Sequence, residues 1–135
     1  MKKLFSVLVV GLLLLVYACG GGDDPKSVLN DVIDTLDNMM NDLEKADSAD
    51  AIVAAFEKGT EAMKKLRPRM KAVEEKYPEL KDLKPGTKFP EGFEDIEKRW
   101  NELFAKMMGM GAKMGKYLSD PKVQEASKKF NEIMK

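Results

Sequence analysis

The chain has 135 residues, with 23 basic and 23 acidic side chains, no histidine and one cysteine, Cys19. Without histidine there is no Ser-His-Asp or Cys-His triad, no histidine metal site and no Glu-x-x-His pair of a di-iron bundle. A balanced charge gives no electrostatic case for nucleic acid. The first segment begins with Lys2 and Lys3 and continues as fifteen uncharged residues, Leu4 to Ala18. That stretch is shorter than the roughly 20 residues needed to span a bilayer, and its basic start marks a secretory signal.

Val16-Tyr17-Ala18-Cys19 closes this segment. It resembles the lipobox of bacterial lipoproteins: an aliphatic residue, a small one, Gly or Ala, then Cys. The resemblance implies diacylglyceryl transfer to the Cys19 sulfur, removal of residues 1–18 and anchorage of the mature chain by lipid. A lone thiol in an exported chain also fits an anchor better than a disulfide framework. Gly20 stands where an Asp would resemble an inner-membrane retention signal, so the resemblance implies the outer membrane. Gly20-Gly21-Gly22-Asp23-Asp24 reads as a flexible tether, making residues 19–24 the lipidated linker and 25–135 the folded domain. Loss of Lys2 and Lys3 leaves 21 basic and 23 acidic residues in a mature chain of 117, enough for one modest core.

Within that domain Asp24 can cap a helix with Pro25 at its first position. Leu29, Val32, Leu36, Met39 and Leu43 follow at alternating steps of 3 and 4. Ala46-Asp47-Ser48 turns the chain and caps a second helix, whose seam is Ile52, Phe56, Gly59, Met63, Leu66, Met70, Val73 and Tyr77. Pro68 lies off this seam but inside the helix, where a kink is expected. Prolines and glycines make 78–92 mainly loop, with one helical turn expected at Leu80–Leu83. A third helix carries Phe93, Ile96, Trp100, Leu103, Met107, Met110, Met114 and Tyr117. Asp120-Pro121 starts a fourth, striped by Val123, Ala126, Phe130 and Ile133. The expected fold is all-α: an up-and-down bundle of three long helices plus a short C-terminal helix.

Two constellations in the domain bear on function. Met107, Met110 and Met114, with Met108 and three glycines beside them, continue the third seam and are expected to be core. The alternatives are a soft thioether site for Cu(I) or an adaptable groove for a small apolar ligand. Lys64, Lys65, Arg67, Arg69 and Lys71 fill five of the eight positions around Pro68, and helix one carries Asp31, Asp34, Asp37 and Asp42. These charges read as solvated faces that balance each other. Folding back about Asp47 sets Lys64 beside about Leu29 and Lys71 beside about Gly22, so the basic stretch would also lie near the lipid and could orient the bundle on an anionic surface.

Lys76-Tyr77-Pro78-Glu79-Leu80 and Leu118-Ser119-Asp120-Pro121 make the domain resemble uncharacterised helical lipoproteins of bacteria, which implies a fold and no activity. The chain is therefore expected to be a non-enzymatic envelope lipoprotein. It needs no cofactor or metal, sits at the membrane through Cys19, and has another envelope protein as a possible partner.

Overall fold

The computed structural model describes residues 24–135. The expected signal segment and the lipobox-like residues Val16, Tyr17, Ala18 and Cys19 lie outside the described residues. The described chain is an all-α bundle, and it contains no strand. Its helices are α1 (Pro25–Lys45), α2 (Ala49–Lys76), α3 (Glu94–Gly109), α4 (Gly111–Gly115) and α5 (Pro121–Met134), with a 3-10 turn at Pro78–Leu80.

The caps form where the sequence placed them. The Asp24 carboxylate accepts from the Lys26 amide, Ser48 Oγ from Ala51 and the Asp120 carboxylate from Lys122, each covering an amide with no partner inside its helix. Pro25 and Pro121 stand in first turns, where a missing N–H is harmless. α2 continues through Pro68 as one 28-residue helix, with the proline ring exposed.

Two expectations are corrected. The turn in the loop forms at Pro78–Leu80, not Leu80–Leu83, because Pro78 supplies the fixed φ that starts it. The third helix is not continuous to Tyr117. It tightens at Met110, whose amide reaches back only three residues to the Met107 carbonyl, and resumes as the five-residue α4. Gly109 and Gly111 flank this junction, and glycine is the poorest helix former after proline.

α1 occupies the middle of the bundle, between α2 and α3, and α5 packs chiefly on α2. Two helical partners explain the breadth of its buried face: Val28, Ile33 and Met40 are buried beside the seam of Leu29, Val32, Leu36, Met39 and Leu43. Ion pairs fix the directions. Lys58 with Asp42 and Arg69 with Asp31 make α1 and α2 antiparallel, whereas Arg99 with Asp34 and Lys106 with Asp37 make α1 and α3 parallel. Lys122 near Asp50 and the Phe56–Phe130 ring contact set α5 parallel to α2. The chain thus runs up, down, up, down.

At the end nearest Asp24 the long loop is pinned by an edge contact of Tyr77 on Phe93, with centroids 5.3 Å apart, and by Trp100 Nε1 donating to the Lys84 carbonyl. Among the described residues the buried apolar side chains run from Val28 to Phe130 and form one core, against which Ile133 also packs.

Candidate functional site

The basic stretch of α2 is divided by the fold. Arg67 bonds Glu74 at 2.7 Å on its own helix and donates to the Lys135 carbonyl. Arg69 donates to Asp31 at 2.7 Å, and Met39 packs level with Gly59. This corrects the simple fold-back: Lys64 lies opposite about Asp34 and Lys71 opposite about Ser27, so the basic stretch sits nearer the α1–α2 turn than expected. Lys64 pairs with Glu61, whose carboxyl is held below its ordinary value by that hydrogen bond and by the ammonium charge. Lys65 and Lys71 are exposed. The two guanidiniums are therefore spent on holding the bundle together, and only the lysines present charge outward.

The methionines also separate. Met110 is buried and Met114 half-buried, as core positions should be, but Met107 is 37% exposed, which corrects the reading of all three as core. The cause is topological: α5 packs chiefly on α2, so this flank of α3 has no covering helix at the level of Met107. Met108, off the seam, is 75% exposed.

Two recesses between the described helices are small. One recess of about 80 Å³ is lined in part by Val32, Met63, Met70, Leu80, Trp100 and Ile133. Another of about 100 Å³ lies between α1 and α2 around Met39 and Gly59. Small-molecule pockets are usually about 300–1,000 Å³. Neither recess is lined by Met107, Met110 or Met114. A shallow depression of about 520 Å³ on the outer side of α3 is wide enough, but it is an open, charged surface of Glu94, Glu97, Lys98, Asn101, Glu102 and Ala105.

Among the described residues no buried side-chain polar atom lacks a hydrogen-bond partner, and no three His, Cys, Asp or Glu side chains converge to hold a metal ion. The clear carboxyl shifts have surface causes. Glu125 is lowered by its bond from Lys129, which is raised in return, and Glu94 is lowered by the Gly92 amide. No described helix is long and apolar enough to cross a membrane.

A polar ladder between α1 and the α3–α4 stretch escaped the sequence reading. Arg99 meets Asn30 and Asp34, Lys106 meets Asp37 and Asn41, and Lys113 meets the Glu44 carbonyl. The cations recur every seven residues, and so do their partners on the parallel helix. The signal was the shared heptad spacing, but the sequence did not reveal which helices are neighbours.

No protein family, curated protein or solved structure matches the chain.

Proposed function

We propose that this chain is a lipid-anchored envelope lipoprotein whose helical bundle is a non-enzymatic interaction module. The observation that carries the reading is Val16-Tyr17-Ala18-Cys19 at the end of a short basic-apolar leader, followed by the tether Gly20 to Asp23 and a helix capped at Asp24. On this reading lipid on Cys19 holds the protein to the outer membrane, to which Gly20 directs it. Four residues, Gly20 to Asp23, separate Cys19 from Asp24, so the end of the bundle formed by the start of α1 stays near the lipid. The opposite end, built from the α1–α2 turn and the α4 region, then faces away from the bilayer.

A non-enzymatic role is supported by the absence of histidine and by exposed acids whose shifts come from ordinary surface pairs. The test is expression of wild type and Cys19→Ser in a diderm bacterium with a lipid label. Wild type should take up the label and fractionate with outer membranes, and the serine variant should do neither. A serine variant that still fractionates with membranes would remove the anchor from the account.

A further inference from the structure

Exposed methionine is gathered at one place in the bundle. Met39, Met40, Met63 and Met70, on α1 and α2, are all buried. Four of the ten methionines instead fall within the eight residues Met107 to Met114, across the α3–α4 junction. There Met108 is 75% and Met107 37% exposed, Met114 is half-buried and Met110 belongs to the core. Elsewhere among the described residues only Met134 is an exposed methionine.

The backbone that buries Met110 is weakly held. Its amide reaches back only three residues, α4 beyond it is five residues long, and the chief neighbour of α4 is α3 itself rather than a helix across the bundle. One hydrogen bond ties it across, from Lys113 to the Glu44 carbonyl. A Cβ on Gly109, Gly111 or Gly115 would meet nothing within 4 Å, and none of the three has positive φ, so neither crowding nor a turn requires glycine there. What the three glycines do is lower the stability of the helix. Short elements with few partners open locally while the rest of a fold stays closed. Such an opening uncovers Met110, whereas Met63 and Met70 are uncovered only when α2 leaves its neighbours.

A thioether is a two-electron reductant. Its sulfur lone pair takes one oxygen of hydrogen peroxide: the S–O bond forms, the O–O bond breaks, and the proton of the transferred hydroxyl passes to the departing oxygen, which leaves as water. Met107 and Met108 can carry the new oxygen in water without disturbing the packing. Met110 cannot, because its sulfoxide is a polar acceptor with no place in an apolar core. We infer that the α3–α4 junction is a site of methionine oxidation by peroxides, in which Met108 and Met107 react first and the sulfoxide of Met110 then keeps α4 from closing back on the bundle. α1 and α2 stay packed through both steps, since their own methionines are shielded. Neither step depends on the lipid anchor.

The test exposes the full chain, wild type and Met110→Leu, to rising hydrogen peroxide. Peptide mass spectrometry reads the sulfoxide at each methionine, and amide hydrogen exchange reads residues 111–117. Met108 should oxidise at least about tenfold faster than Met110, and Met110 at least about tenfold faster than Met63 and Met70. Exchange over 111–117 should rise as Met110 sulfoxide accumulates and not as Met108 sulfoxide does, while α1 stays protected. Met110→Leu should keep its protection although Met107 and Met108 are oxidised, and methionine sulfoxide reductases, one for each epimer, should restore it in wild type. Oxidation of Met110 as fast as Met108, or only together with Met63 and Met70, would overturn the inference. So would exchange that ignores Met110 sulfoxide, that rises equally in Met110→Leu, or that reduction does not reverse.

Discussion

Replacing Gly59 with Ala tests how closely α1 and α2 approach. In an open helix the change stabilises by about 1 kcal/mol, because alanine has less backbone freedom to lose. At this position the new Cβ would stand 2.5 Å from Met39 Sδ and 3.1 Å from its Cγ, so the thioether must move by roughly 1 Å to reach ordinary contact. Met39 is itself buried at 3% exposure, and displacing a side chain in a filled core costs about 1–3 kcal/mol. The expected net effect is a loss of about 1 kcal/mol. With Met39→Ala as background the obstruction is gone, and Gly59→Ala should stabilise by about 1 kcal/mol, giving a coupling of about 2 kcal/mol between the two positions. Urea unfolding followed by circular dichroism and by the fluorescence of buried Trp100 measures all four corners of the cycle. Equal stabilisation by Gly59→Ala in both backgrounds would refute the close approach.

Pro68→Ala should stabilise the bundle by about 1–3 kcal/mol in the same assay, since it restores a hydrogen bond inside α2, less what proline's stiffness removes from the unfolded chain. Met110→Leu should cost under about 1.5 kcal/mol as a volume-conserving core swap. Tight Cu(I) binding that disappears when Met107, Met110 and Met114 are all made Leu would show instead that this cluster is a metal site. Glu61 and Glu125 titrate below their ordinary value, so their contribution to stability is present above it and lost as pH falls through the lowered values; Lys129, raised, contributes below its ordinary value and loses that as pH rises further. Thermal unfolding should accordingly be nearly flat between roughly pH 5 and 10, and these exposed pairs should change it little outside that range.

The α1 and α2 seams were legible because their residues alternate cleanly at steps of 3 and 4, and every α1 position read as core is buried. So were the caps at Asp24, Ser48 and Asp120, which depend on local chemistry alone. The second buried face of α1 was not, because Val28, Ile33 and Met40 are explained only once α3 is known to lie alongside it. The same gap hid the Arg99–Lys106–Lys113 ladder and led to Met107 being read as core: each depends on which helices are neighbours, a property of the whole fold.

The most direct measurement is the intact mass of the protein purified from bacterial membranes. The account predicts a chain beginning at Cys19, heavier than the polypeptide from Cys19 to Lys135 by a diacylglyceryl group, with or without a further acyl chain on its amino group. A free Cys19 thiol, or a chain that retains Met1 or begins at another residue, would contradict it.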